Sequence, residues 1–315
     1  MSDVLFIKTS SLGDVIHHMP ALTQVRRHRP DARISWVVEE AFAPLARLHA
    51  AVDAVIPVDS RAWRKGLHRP ATWRGLKDFL MALRARAYDE IVDSQGLVRT
   101  AVIAKLARGR RHGYDAQSVR EPPAARFYDV RHRVDNRLHA IERNRVLTAL
   151  ALGHTPDRIL DFGLDRARLA PAGAPYGALL HATAEPAKEW PERSWIEAGR
   201  MLSGHGLQLL LPWGTAPERD RSVRIAAAVP NARVPERGPI DAAARLIAGA
   251  SFVIGVDTGL LHLAAALRVP LVGIFVGSEP GLTGPRGMGP IAVVGGKAAM
   301  PSVREVVAAL DQVSR

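Results

Sequence analysis

Short runs rich in Val, Ile and Leu recur along this chain at 4–8, 34–38, 54–58 and 90–93. They return at 178–182, 207–211, 252–256 and 271–275. Compact runs of this kind mark strands buried on both faces. Between them, stretches with helical spacing cover 14–28, 73–87, 97–107 and 137–151, then 192–203, 218–228, 240–249 and 258–268. A last amphipathic helix is predicted over 302–313. Strand and helix in alternation predict a parallel sheet with helices on both faces, here built twice: an α/β, doubly wound architecture. Residues 108–135, Arg-rich and carrying Pro122-Pro123, break the rhythm and read as one long loop. The Pro- and Gly-rich stretch 153–175 reads as an interdomain linker, which sets domains at 1–163 and 164–315.

Two strand–turn–helix elements carry the strongest chemical signal. The apolar run Phe252–Val256 ends in Asp257-Thr258-Gly259, and an Ala/Leu-rich helix follows at once. Such a turn directs unpaired backbone N–H groups and the positive end of a helix dipole at one point, which suits a phosphate or pyrophosphate. Near the N-terminus, Val4–Ile7 runs through Lys8-Thr9-Ser10-Ser11-Leu12-Gly13-Asp14 into an apolar helix. Two such turns predict two domains facing a central cleft, with the ligand between them. No Gly-x-Gly-x-x-Gly follows the first strand, which argues against a dinucleotide-dependent oxidoreductase.

The chain has no cysteine, so disulfides and thiol chemistry are excluded. The apolar stretch at the N-terminus is too short for a signal peptide, and no window reaches the length of a membrane span. A soluble, cytoplasmic protein is expected. The net charge of +12 is uneven: residues 1–160 hold 27 Lys+Arg against 17 Asp+Glu, and residues 161–315 hold 16 against 14. A polyanionic partner for the first half follows. Nucleic acid is disfavoured, because Trp63, Trp73, Phe127 and Tyr128 form no periodic stacking platform. The scattered histidines show no metal-ligand spacing.

Seven motifs, in order, resemble the ADP-heptose heptosyltransferases of the bacterial lipopolysaccharide inner core. They are Lys8–His17, Trp36–Glu40, Asp93–Leu97, His181–Thr183, Lys188–Pro191, Leu211–Gly214 and Val256–His262. The resemblance implies a GT-B fold of two Rossmann-like domains, with the last helix returning to the N-terminal domain. It also implies an inverting reaction needing neither metal nor cofactor. The donor would be ADP-L-glycero-D-manno-heptose and the acceptor Kdo2-lipid A. The enzyme would work against the anionic surface of the inner membrane's cytoplasmic face. The Trp36–Glu40 motif and the Arg61-x-Trp63-Arg64-Lys65 segment favour transfer of the first heptose over transfer of the second.

The resemblance also suggests roles. Asp14 would be the base that deprotonates the acceptor hydroxyl; on position alone it is a helix N-cap. Lys8 would be a cation near the transferring sugar. Lys188 would neutralise the leaving ADP in place of a metal, with Thr183 as a hydroxyl donor and the N–H groups of Thr258, Gly259 and Leu260 cradling the diphosphate. Asp257 would contact the heptose, or cap the following helix. His262 would donate to phosphate, or be a satisfied core histidine. Glu218 would bind the ribose hydroxyls, or serve as a favourable acid in a first turn. Arg61, Arg64 and Lys65, in a loop after the third strand, and Arg120 would hold the anionic acceptor. Ala184 departs from the family's pattern, which can place a second Thr there.

Overall fold

The computed structural model describes residues 2–66, 68–204, 207–277, 279–297 and 299–314. Two compact units divide the chain, Met1–Gly163 and Leu164–Arg315.

In the first unit, six parallel strands are β1 (Asp3–Ile7), β2 (Arg33–Glu39), β3 (Ala54–Val58), β4 (Glu90–Asp93), β5 (Arg110–Tyr114) and β6 (Val130–His132). Their order is β3-β2-β1-β4-β5-β6. Val4 to Ile7 are wholly buried, as a central strand covered on both faces requires. Leu5 and Ile7 lie on one face with Val37, Ile56, Phe79, Leu83 and Ile91. Phe6 lies on the other, where its ring and that of Trp36 each contact His18. The Leu12–His28 and Ala140–Leu152 helices are joined by Asn144 Nδ2 donating to the His17 carbonyl at 3.0 Å and Arg145 Nε donating to Gln24 Oε1 at 3.1 Å.

The second unit repeats the plan with β7 (Tyr176–Leu180), β8 (Gln208–Leu210), β9 (Ala232–Arg233), β10 (Phe252–Val256), β11 (Leu271–Val276) and β12 (Ile291–Gly296), in the order β12-β11-β10-β7-β8-β9. Read from its other edge, this is the order of the first sheet. Thus β7 and β10 occupy the places that β1 and β4 hold. In each unit the chain reverses its direction of travel across the sheet between those two strands. The carboxyl ends flanking such a switch point are where open α/β sheets bind ligands.

Two expectations need correction. Residues 108–135 are not one loop: they contribute β5 and β6, joined by a 3-10 turn over Pro122–Phe127. Arg61, Arg64 and Lys65 sit not in a loop but on a short helix, Ser60–Lys65, capped by Asp59 accepting from the Ala62 N–H. The Val303–Val313 helix packs within the second unit. Its buried residues Val303, Val306, Ala309, Leu310 and Val313 join Trp190, Trp195, Val272 and Ile274 in the core of the second unit. That apolar stripe covers the sheet of its own unit, and Trp190 Nε1 locks it by donating to the Pro301 carbonyl at 3.0 Å. Among the described residues, no helix is long and apolar enough to cross a membrane.

Candidate active site

In the first unit, the carboxyl ends of β1 and β4 are tied together. Lys8 Nζ donates to the Ser94 carbonyl at 3.1 Å and lies 3.5 Å from Asp14 Oδ1. Asp14 is not the N-cap of its helix; Ser11 is. Asp14 occupies the third helical position, where Oδ2 accepts from the Ser11 N–H at 3.1 Å in a capping box. One carboxylate therefore carries a helix-start bond on one oxygen and a lysine on the other. The Lys8 side chain is almost buried, and that of Asp14 keeps 28% of its exposure, so the carboxylate stays accessible.

The loop between them is held by Gln95. Its Oε1 accepts from the N–H groups of Thr9 and Ser10, at 3.1 and 3.2 Å. Gln95 is in turn set by the buried Asp93, whose Oδ1 accepts from the Gln95 and Gly96 N–H groups at 2.9 and 3.2 Å. Gly96 has φ +70°, a conformation open to glycine. Tyr128 donates to Asp93 Oδ2 at 2.8 Å, and its ring fills the space a Cβ on Gly113 would need. Burial raises the Asp93 pKa, against the opposing pull of bonds from Tyr128, Thr100, Gly96 and Gln95. His18, one helical turn beyond Asp14, is held well below its usual pKa by burial and by the charge of Lys8; its Nδ1 meets Ser94 Oγ at 3.1 Å. It is neutral at physiological pH.

Beside them, the Glu39 N–H donates to the Thr9 carbonyl, and the Glu39 carboxylate accepts from Ser60 Oγ. Burial raises the Glu39 pKa, while the Ser60 bond and the charges of Arg61 and Arg99 lower it. Arg61 thus belongs to the same sheet edge as Lys8, and Arg99 reaches Ser10 Oγ at 3.0 Å. Arg61, Arg64, Lys65 and Arg120 are all exposed. Arg120 stands next to Glu121, whose N–H donates to the Gly96 carbonyl, so it too lies by the β4 turn. No described contact joins Arg64 or Lys65 to the Lys8–Asp14 pair.

In the second unit, Thr183 lies just past β7 and donates from Oγ1 to the Asp257 carbonyl at the end of β10, at 3.0 Å. Its hydroxyl is thus spent in bridging the switch point. Lys188 Nζ lies 3.1 Å from Asp257 Oδ2 and 3.0 Å from Glu185 Oε1. Burial works to lower the Lys188 pKa, but the bonds from Glu185 and Asp257 outweigh it and the net shift is upward, so the ammonium is secure. Thr258, not Asp257, is the N-cap of the Gly259–Ala266 helix, which frees the Asp257 carboxylate to face Lys188. His262, in the next turn and buried, has Nε2 3.9 Å from Asp257 Oδ1. Helix geometry leaves the N–H groups of its first turn, including Gly259 and Leu260, without intrahelical partners.

Glu218 is engaged in a capping box: its Oε2 accepts from the Gly214 and Thr215 N–H groups at 2.7 and 3.2 Å. Arg221, absent from the sequence reading, is buried and spans the loop that carries Lys188. It donates to the His181 and Trp190 carbonyls and pairs with Glu189 at 2.6 Å. His181, pushed down to about 4 by burial and by Arg221, is neutral. Among the described residues, no group of three or more His, Asp or Glu side chains is placed to hold a metal ion. The second unit therefore sets a lysine, paired with two carboxylates, beside the N–H-rich start of a helix, and the first holds a lysine-paired carboxylate.

The model of glycosyltransferase family 9 (heptosyltransferase) matches residues 77–310. The chain belongs to this family. Among members of family 9, lipopolysaccharide heptosyltransferase 1 of Pseudomonas aeruginosa is 45% identical over 291 residues, covering 90% of this chain and 81% of its own. The structure of E. coli heptosyltransferase WaaC with ADP superposes with a TM-score of 0.92 at 38% identity, covering 98% of this chain and 99% of that one. WaaC with ADP-2-deoxy-2-fluoro heptose gives 0.88 at 37%, with the same coverage. By contrast, lipopolysaccharide heptosyltransferase 2 of E. coli K12 matches over 106 residues, 33% identical, or 32% of this chain. This family 9 glycosyltransferase has the GT-B fold, with two Rossmann-like domains.

Proposed function

We propose that this family 9 enzyme moves L-glycero-D-manno-heptose from its ADP-activated form onto Kdo of Kdo2-lipid A, the first heptose of the lipopolysaccharide inner core. The observation that carries the reading is the Lys188–Asp257 pair at the mouth of the Gly259–Ala266 helix. The chain around it is 38% identical to WaaC with ADP. The sequence match to heptosyltransferase 1 over 90% of the chain, against one to heptosyltransferase 2 over 32%, favours the first transfer over the second.

In this reading Asp14 accepts the proton of the acceptor hydroxyl as its oxygen attacks the anomeric carbon from the face opposite ADP. The bond from that carbon to the diphosphate breaks, its electron pair leaves with ADP, and the anomeric configuration inverts. Lys8, 3.5 Å from the carboxylate, holds Asp14 in place. The charge growing on ADP is met by Lys188 and by the N–H groups of Thr258, Gly259 and Leu260. Asp257 and His262 contact the donor sugar and phosphate, Thr183 shapes the turn, and Glu218 turns to the ribose when nucleotide arrives. Arg61, Arg64, Lys65 and Arg120 hold the carboxylates and phosphates of the acceptor. Neither metal nor cofactor takes part, and the acceptor's acyl chains place the enzyme at the cytoplasmic face of the inner membrane.

The test is product analysis. Kdo2-lipid A incubated with enzyme and donor should gain the mass of one heptose, with anomeric configuration opposite to that of the donor by NMR. A gain on heptosylated acceptor alone, or retained configuration, contradicts the proposal.

A further inference from the structure

The Pro70–Arg84 helix buries Phe79 and Leu83 in the core of the first unit, with Leu80 packed against the core's edge. Positions 73, 77, 81 and 84 follow helical spacing along the adjoining outer side. Trp73 is 59% exposed and Met81 55%, the half-buried Leu80 lies between them, and Lys77, Arg84 and Arg108 flank them around a hollow of about 610 Å³. A large aromatic and a methionine displayed together on a surface mark a contact site.

The charge around this side says what the contact is with. Residues 60–87 hold eight Lys or Arg against one Asp, Asp78; Arg61, Arg64 and Lys65 belong to the acceptor segment, while Lys77 and Arg84, with Arg108, line the hollow itself. Long basic side chains around exposed Trp and Met form the pattern of an element lying in the interface of an anionic bilayer. There the ring sits at headgroup depth and the cations reach phosphates. A nucleic acid would leave the apolar residues without a role, and a protein partner gives no reason for the charge.

We propose that this outer side is the face by which the protein lies on an anionic lipid bilayer, with Trp73 and Met81 entering the headgroup region and Lys77, Arg84 and Arg108 meeting lipid phosphates. The inference rests on the lipid-borne acceptor of the preceding reading and adds to it a docking face distinct from the sugar-binding residues Arg61, Arg64, Lys65 and Arg120. The basic helix would hold the enzyme where its acceptor is concentrated.

Co-flotation of the full chain with phosphatidylglycerol-containing vesicles, free of acceptor and donor, tests the face directly. The protein should float with these vesicles and not with pure phosphatidylcholine. W73S/M81S, which leaves the charge untouched, should lower the partition on the order of tenfold. K77Q/R108Q should lower it about twenty-five-fold, at roughly fivefold per charge. Both should melt as the parent does and release ADP from ADP-heptose on a deacylated, soluble Kdo acceptor at the parent rate. Partition unchanged in W73S/M81S, or equal retention of parent and W73S/M81S on duplex DNA in place of vesicles, overturns the inference. The two readings fail separately: vesicle binding without transferase activity removes the function, and activity without vesicle binding removes this face.

Discussion

Lys188 and Asp257 leave different strand ends, sixty-nine positions apart in sequence, and meet at 3.1 Å across the switch point of the second sheet. The contact fixes a cation directly in front of a helix start, on a carboxylate whose side chain is only 12% exposed. A positive charge held there before substrate binds needs little reorganisation when charge develops on a leaving diphosphate.

Replacing Lys188 by Met should therefore lower turnover by about 10²–10³-fold, the range for loss of one preorganised charge-stabilising donor. Asp257 then loses its partner in a poorly hydrated place, so the melting temperature should also fall. The double variant K188M/D257N should recover stability but not turnover. Steady-state ADP release and thermal melts read the two effects separately; a parent-like rate in K188M contradicts the role.

Asp14 carries a cap bond and, in our reading, a catalytic proton. Asp14→Asn keeps a carbonyl oxygen for the Ser11 N–H and removes the base, so it should hold stability while turnover falls by about 10²–10⁴-fold. Asp14→Ala should lose that turnover and about 1 kcal/mol of stability as well. Donor affinity, measured by calorimetry with ADP, should be unchanged in both. A fully active Asp14→Asn enzyme would reject the assignment.

Gln95 lies in the Asp93–Leu97 motif, to which the sequence alone assigned no role. Its Oε1 satisfies two buried N–H groups of the loop that leads to Asp14. Gln95→Leu should cost about 1–3 kcal/mol for the donors left unpaired and lower kcat without weakening ADP binding. Gln95→Glu retains an acceptor and should restore part of the rate. If both variants fall equally in kcat, the loop is not held in the way described.

His49 is fully buried, with Nε2 3.1 Å from the Met19 carbonyl and Nδ1 accepting from the Ala51 N–H at 3.1 Å. Burial lowers its pKa from 6.5 to about 4, against the opposing pull of the Met19 bond. The unfolded chain binds this proton more readily than the folded one. Its contribution is thus whole above pH 6.5 and is lost as pH falls towards 4, about 3 kcal/mol in all. Urea unfolding across this window should show stability falling with pH, and His49→Gln should reduce the slope. An unchanged slope in the variant would contradict the account.

The fold was legible wherever a strand is central. Val4–Ile7 and Phe252–Val256 are buried on both faces and announce themselves as unbroken apolar runs. β5, β6, β9 and β12 were missed, all in the outer part of their sheets: Arg110-Arg111-His112-Gly113-Tyr114 carries no strand pattern, and pairing with β4 and β6 alone makes it one. At the site, local turns could be read from Lys8–Asp14 and Asp257–Gly259. The partners could not, because Gln95 to Thr9 and Lys188 to Asp257 are contacts between distant segments. Nor does spacing reveal that Thr183 spends its hydroxyl on the Asp257 carbonyl, or that Glu218 serves its own helix start.

The most direct test of the central claim is ADP release from ADP-L-glycero-D-manno-heptose, with and without Kdo2-lipid A, in buffer containing EDTA. The account predicts release that requires the acceptor and ignores the chelator. Release that proceeds equally without acceptor, stops on chelation, or appears only with an already heptosylated acceptor would contradict it.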